Sequence, residues 1–240
     1  MAATEYTELR LVRSAEATHD ITPEIVGGRA PYSILTEEGI RQAQHLGRVW
    51  ADQAYYPDAA HTSPHMRANN TLQVAQTVQF ADNKPSGFVV RAELAEQCLG
   101  YHEGRERDEV YNPYTSWMIE LQGALYQHQG RNQEGVLGES LLSTARRMVA
   151  YAASLSELEA GHNRYRSVVA ISHDISIKSM VSYLELGGAE QTPNPHELLA
   201  LTLGRQALAP CSETILIIES DPARKPHIDI EHVGRPIASS

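Results

Sequence analysis

The sequence contains few cysteines, few aromatic residues and no apolar run long enough to cross a membrane. Its 240 residues include two cysteines, and aromatic residues make up 6% of the chain. Cys98 and Cys211 lie far apart and match no metal-binding or redox spacing, which argues against cysteine-based chemistry. We expect both to be buried as small apolar side chains.

Positive charge is also scarce. Twenty lysines and arginines stand against thirty acidic residues, for a net charge of −10, which argues against nucleic acid or an anionic membrane as a partner. The first eight residues lack the apolar core of a signal peptide, so a cytoplasmic location is expected. No two of the eleven histidines stand at zinc-site spacing with a third ligand nearby, so neither a metal nor a cofactor is expected.

Short apolar stretches alternate with stretches of helical periodicity. This alternation predicts an α/β fold, a three-layer sandwich whose mainly parallel central sheet carries helices on both faces. We interpret residues 1–240 as one domain with a cap or insertion at about 105–135. The strands are predicted at 5–13, 59–62, 88–91, 167–172, 214–219 and 228–233, and the helices at 37–50, 64–79, 138–158, 174–184 and 197–203, with a loose tail from residue 234.

Polar side chains follow several of the predicted strands directly. Arg13 ends the first strand and Ser14 follows it, Arg67 comes after the second strand, and His173 after the fourth. The loop that carries Glu96 follows the short strand at 88–91. Because ligand sites of parallel sheets lie at the carboxyl ends of the strands, we expect one cleft to collect these groups.

Five motifs, in order over about residues 9–175, resemble those of the histidine phosphatase (phosphoglycerate mutase-like) superfamily. Each motif is short, but their order and their positions after strands agree with the family fold. The resemblance also allows a homodimer. The motifs are LVRSAEATHD at 11–20, LTEEGIRQA at 35–43, SPHMRA at 63–68, LAEQCLGYHEG at 94–104 and SHD at 172–174.

The resemblance implies roles for several residues. In the family, a histidine after the first strand attacks a phosphoryl group, arginines and a second histidine hold its oxygens, and a carboxylic acid protonates the leaving group. Carried over, Arg13, Arg67 and His173 would hold the oxygens and Glu96 would be the acid. We add, from the other residues within the motifs, the candidate contacts Ala15, His19, His65 and His102.

Three positions depart from the family pattern. Ser14 stands where the family has its nucleophilic histidine, and Ala15 stands where it has a glycine. Asp20 replaces a neutral asparagine. Loss of a covalent nucleophile typically costs about 10⁴- to 10⁶-fold in rate, and a carboxylate about 4 Å from a phosphoryl group costs roughly 4 kcal/mol near a protein surface.

These departures leave three hypotheses open. The first is an enzyme repurposed for acid–base chemistry (hydrolysis, elimination or isomerisation) on a small anionic metabolite that is not a phosphate ester. It would use Ser14, Asp20, Glu96 and His173 as catalytic groups, with His173 as a conceivable activator of Ser14. The second is a non-catalytic module that binds a ligand or partner. The third is a residual phosphatase that uses Asp20 or Ser14.

Overall fold

The structure is a computed structural model that describes residues 5–31, 33–80, 87–156, 165–188, 190–220 and 226–237. Its elements alternate between strands and helices for most of the chain. The strands are β1 (Glu5–Arg13), β2 (Ala59–Thr62), β3 (Val89–Val90), β4 (Ser167–Ser172), β5 (Glu213–Ser220) and β6 (His227–Arg235). The helices are α1 (Glu37–Asp52), α2 (Met66–Phe80), α3 (Arg107–Val110), α4 (Pro113–Gln122), α5 (Leu141–Ser154), α6 (Asp174–Glu185) and α7 (Pro195–Gly204).

The strands form one six-stranded mixed sheet in the order β3-β2-β4-β1-β5-β6. The first four of these strands are parallel to one another, and β5 and β6 are antiparallel to their neighbours. In the centre, Arg13 at the end of β1 is paired with Ser172 at the end of β4. The ends of β1, β2 and β4 therefore meet at one edge, as the sequence predicted.

Helices cover both faces of the sheet, which confirms the predicted α/β sandwich. Leu9 and Leu11 of β1 pack with α5 and α6 in one buried cluster. Val12, which points to the opposite face, packs with Leu46 of α1 and Leu72 of α2. This alternation is the two-residue period of a strand buried on both sides.

Several boundaries differ from the predictions. The strand predicted at 88–91 is reduced to Val89–Val90. Helix α5 was predicted to end at residue 158 and ends at Ser154. Residues 157 and 158 lie outside the described residues. Strand β6 runs on to Arg235 and so includes the start of the predicted loose tail. Pairing with β5 extends β6 beyond its apolar residues, because the hydrogen bonds between the two strands are made by backbone groups whatever the side chains.

The predicted cap at about 105–135 contains α3, α4 and a 3₁₀ turn at Gly123–Leu125. Asn112 begins α4 by accepting a hydrogen bond from the amide of Thr115, and Pro113 occupies the first turn. Across the described part of the chain, the helices are all too short or too polar to cross a bilayer.

Helices α1 and α2 approach so closely that only glycine fits at position 47. A Cβ there would lie 2.2 Å from the backbone oxygen of Ala75. We expect Gly47→Ala to lower the free energy of unfolding by about 1–3 kcal/mol, because backbone cannot yield as a side chain can. Urea denaturation measures this. Gly204→Ala is the matched control, since its Cβ would meet no atom within 4 Å; an equal loss in both variants would contradict the argument.

Candidate active site

Arg13 is paired with a carboxylate on the turn that follows β1. Its guanidinium donates to Oδ1 of Asp20 at 2.7 Å and to the carbonyl oxygen of Leu208. The other oxygen of Asp20 accepts from the amide of Ala17 at 2.8 Å. The positive charge of Arg13 is therefore largely balanced within the protein.

Arg67 is a buried cation with a different set of partners. It lies in the first turn of α2, is 1% exposed, and donates from Nε to Nδ1 of His173 at 3.2 Å and from Nη2 to the carbonyl oxygen of Gly28 at 3.0 Å. Burial lowers the pKa of Arg67, while the carboxylates of Glu96, Asp20 and Glu103 act in the opposite direction. No carboxylate of the described residues forms an ion pair with Arg67, so these carboxylates balance its charge only from a distance.

His173 is held as a neutral imidazole with a defined tautomer. Its Nδ1 accepts a hydrogen bond from Nε of Arg67. The ring proton is therefore on Nε2, which donates a hydrogen bond to Oγ of Ser63 at 2.7 Å. Burial and the charge of Arg67 lower the pKa of His173 well below its ordinary value. With Nε2 already protonated and both nitrogens occupied, His173 cannot take the proton of Ser63, nor is it bonded to Ser14.

His19 lies at the same edge and is more accessible. Its Nδ1 is 2.6 Å from Oγ of Ser33, and its Nε2 is 3.5 Å from Oδ1 of Asp20. The side chain is 25% exposed. Burial, together with the nearby Arg67, lowers the pKa of His19 to about 4, although Asp20 acts in the opposite direction. The imidazole is therefore neutral at pH 7 and able to accept a proton.

Glu96 binds the amino terminus of α6. Its Oε1 accepts from the amide and hydroxyl of Ser176 at 3.0 and 2.8 Å, and its Oε2 accepts from the amide of Ile175 at 3.3 Å. Burial raises the pKa of Glu96, while the amide of Gln97 and the charge of Arg67 act in the opposite direction. Its position is fixed by the positive end of the helix, and its role as an acid stays a prediction.

The loop that carries Glu96 is held by a partly buried ionic network. Glu139 accepts a two-pronged pair of hydrogen bonds from Arg147, at 3.1 and 2.9 Å, and a third bond from Arg29 at 2.8 Å. Arg29 and Arg147 also donate to backbone carbonyl oxygens of the loop, those of Glu96 and Ala95. The network thereby fixes the loop between β3 and the cap.

The remaining predicted site residues on the sheet edge are enclosed. The amide of Ser14 donates to the carbonyl oxygen of Ser172, and the amide of Ala15 donates to the hydroxyl of Thr71. The ring of His65 lies 5.1 Å from that of His173, and its buried Nε2 has no hydrogen-bond partner among the described residues. Burial and the charge of Arg67 lower the pKa of His65 to about 3.

His102 lies in a separate part of the structure, beneath the cap. Its ring packs 4.1 Å from Tyr101 and 5.6 Å from His128. It borders a cavity of about 150 Å³ that is distinct from the residues around Arg67. The structure therefore does not bring His102 to the other candidates. Over the described ranges, no three His, Cys, Asp or Glu side chains are grouped as metal ligands, and Cys98 and Cys211 are buried and free.

Three contacts of this site were not predicted from the sequence. Ser63 belongs to a motif, but nothing in it indicates a bond to His173, 110 positions away. The carbonyl of Gly28 and the hydroxyl of Ser33 lie in a loop whose glycines and proline predict only irregular structure. The sequence signal for the pair of Ser33 and His19 was the presence of a histidine and a serine in the same loop.

Comparisons with known proteins agree with this architecture. The sequence profile of the histidine phosphatase superfamily (branch 1) matches residues 9–203. No protein of the curated set matches the sequence.

Solved structures of similar fold share little sequence identity with the chain. A mycobacterial glucosyl-3-phosphoglycerate phosphatase is 17% identical, with a TM-score of 0.70, over 97% of this chain and 100% of the other. A phosphoglycerate mutase from Bacillus anthracis is 18% identical, with a TM-score of 0.68, over 97% and 94%. A mutant phosphoserine phosphatase from Entamoeba histolytica, in complex with phosphoserine, is 21% identical, with a TM-score of 0.63, over 94% and 95%.

These likenesses concern the fold, whereas the profile match covers most of the sequence and includes the strand-end motifs around Arg13, Arg67 and His173. The chain belongs to the histidine phosphatase superfamily (branch 1).

Proposed function

We propose that this protein binds a small anionic metabolite at Arg67 and carries out proton transfer on it with His19, without forming a phosphohistidine. The observation that carries the proposal is the neutral, partly exposed imidazole of His19 near a buried arginine that forms no ion pair with any described carboxylate. The proposal makes the protein a divergent member of its superfamily, repurposed for acid–base chemistry.

A phosphate ester fits these charges poorly. Ser14 follows Arg13 at the place where the family resemblance puts the nucleophilic histidine, and a serine cannot form a phosphohistidine. Asp20 lies 2.7 Å from Arg13 and balances its charge. A dianionic phosphoryl group held by both arginines would meet this carboxylate at a cost of several kcal/mol, about 4 per unit charge at 4 Å. A carboxylate ligand carries half that charge and can bind Arg67 alone.

His19 has the features of a general base. A base must be deprotonated at working pH, lie within reach of the ligand and have a fixed orientation. The low pKa of His19 keeps the imidazole deprotonated at pH 7 and meets the first condition, although it also makes the imidazole a weak base. Its ring packs against the backbone at Gly27, whose neighbour Gly28 binds Arg67, which supports the second. Ser33 at Nδ1 and Asp20 at Nε2 support the third, and a ligand would give its proton to Nδ1 by displacing the hydroxyl of Ser33.

A second candidate is a protein that binds its ligand without converting it. The observation in its favour is that three of the predicted catalytic groups already bond the protein. His173 bonds Ser63 and Arg67, Glu96 bonds the start of α6, and Asp20 bonds Arg13. Such fixed groups suit a rigid binding site as well as a reaction.

The first experiment measures phosphate release from an aryl phosphate across about pH 4.5 to 9, with intact-mass detection of any phosphoprotein. We expect no release above that of an Arg67→Ala control and no phosphoprotein, because the histidine nucleophile is missing. Release that depends on Arg67 would contradict the proposal and favour a residual phosphatase.

The second experiment measures the turnover of a carboxylate ester or another carboxylate metabolite. The compound is chosen because its binding raises the thermal stability of the protein. We expect turnover whose rate falls on the acid side near pH 4, where His19 gains its proton, with the charges of Asp20, Arg13 and Arg67 facing it. His19→Gln should remove most of this turnover, and the exposed His196→Gln is the matched control. Saturable binding with no product at any pH would leave the binding-only function.

A further inference from the structure

Three serines, Ser14, Ser33 and Ser63, lie at the sheet edge, each at most 5% exposed. A serine becomes a nucleophile when a neighbouring base can remove its proton. Two of the three have an imidazole within hydrogen-bond distance, Ser63 through His173 and Ser33 through His19. The direction of the proton in each pair decides which serine can react.

In the pair of Ser63 and His173, the histidine donates the hydrogen bond, so it cannot remove the proton of the serine. Arg67 donates to Nδ1 of His173, so Nε2 carries the ring proton and donates to the hydroxyl of Ser63. The same hydroxyl also accepts from the amide of His65 at 3.3 Å. Ser63 is therefore an acceptor at this site.

In the pair of Ser33 and His19, the neighbouring groups favour donation from the serine to the histidine. The amide of His19 lies 3.5 Å from Oγ of Ser33, so the oxygen faces a backbone donor while its own proton is free to point to Nδ1 at 2.6 Å. The Nε2 proton then faces Asp20 at 3.5 Å, a length that is common in unliganded active sites. Asp20 is fixed by Arg13 and the amide of Ala17.

We propose that Ser33 is the nucleophile of an acyl-transfer reaction on a small carboxylate-bearing ester, with His19 as its base and Asp20 as the group that orients His19. The arrangement performs the roles of a Ser-His-Asp triad, with Nδ1 in the place usually taken by Nε2. The inference rests on the proposed function, because it uses the same base and the same anion site at Arg67.

The reaction is a hydrolysis in two steps. Oγ of Ser33 bonds to the carbonyl carbon of the ester and its proton passes to Nδ1 of His19. The carbon–oxygen bond to the alcohol then breaks, and the departing oxygen takes that proton. Water attacks the acyl-serine, gives a proton to His19 and releases the acid, and His19 returns the proton to Ser33.

The test uses phenylmethylsulfonyl fluoride, a small reagent that forms an oxygen–sulfur bond with activated serines and releases fluoride. We expect one sulfonyl group per chain by intact mass, mapped to Ser33 by peptide sequencing. Labelling should be lost in Ser33→Ala. It should be at least 100-fold slower in His19→Gln, a variant that keeps the hydroxyl of Ser33 but lacks the base. The buried Ser179→Ala is a control that should label at the normal rate. Circular dichroism establishes that each variant is folded.

An unlabelled wild-type protein, or a label on any other residue, would overturn the assignment of Ser33. Turnover of mono-p-nitrophenyl succinate separates this inference from the proposed function. If turnover requires His19 but survives Ser33→Ala, the acid–base function stands and the nucleophile is refuted. If His19→Gln leaves turnover unchanged, the proposed function itself has failed.

Discussion

Replacing Arg67 with methionine should weaken the binding of small carboxylates about 100-fold, while the fold is retained. Arg67 is buried, and its guanidinium is not ion-paired to any carboxylate in the described ranges. Loss of one partner of a buried, charge-assisted contact costs about 2–5 kcal/mol of binding energy. The free energy of unfolding should fall by about 1–3 kcal/mol, because the substitution leaves Nδ1 of His173 and the carbonyl oxygen of Gly28 without their donor.

Isothermal titration with succinate and with inorganic phosphate measures this prediction. Arg41→Met is the matched control, since the side chain of Arg41 is 62% exposed and forms a surface ion pair with Glu38. Arg67→Lys keeps the charge but loses the planar fork, so an intermediate loss is expected. Equal affinity in the wild-type protein and Arg67→Met would remove Arg67 from the anion site and, with it, the basis of the proposed function.

Replacing Glu139 with glutamine should lower the free energy of unfolding by about 3 kcal/mol at pH 7. Glu139 is the common acceptor of Arg29 and Arg147, and its removal leaves two partly buried guanidinium groups without their counter-charge. Breaking such a pair from one side costs about 3–5 kcal/mol when the partners are buried, and somewhat less with the 18% exposure of this carboxylate. Urea denaturation measures the loss, with the exposed Glu134→Gln as control.

The same variant has a defined pH dependence. The charges of Arg147 and Arg29 hold the pKa of Glu139 below its ordinary value, although burial opposes them. A carboxylate with a lowered pKa contributes stability above its unfolded pKa, near 4.5, and loses it as the pH falls through the folded pKa. The difference between the wild-type protein and Glu139→Gln should therefore shrink below about pH 4.5. A difference that stays constant down to pH 3 would show that the charge is not its source.

Much of the fold could be predicted from local patterns. The apolar alternation of β1 and the β-branched run of β4 identified the central strands, and Thr36 marked the start of α1, where its side chain accepts from the amide of Gly39. The short strand β3 was predicted too long. Only two of its residues pair with β2, and both are exposed, so apolar character there reflects a sheet edge rather than a buried strand.

The sequence by itself placed Arg13, Arg67 and His173 at the sheet edge, because motifs that follow parallel strands meet where those strands end, but it also placed His102 there wrongly. Only the tertiary structure decided what the groups bond. Arg13 pairs with Asp20 seven positions away, His19 with Ser33 fourteen away, and His173 with Ser63 one hundred and ten away. Whether a hydrogen bond forms depends on loop paths and side-chain rotamers to within a few tenths of an ångström. Which of its two groups donates the proton depends on the other hydrogen bonds that each group makes. Neither is encoded in the spacing of residues.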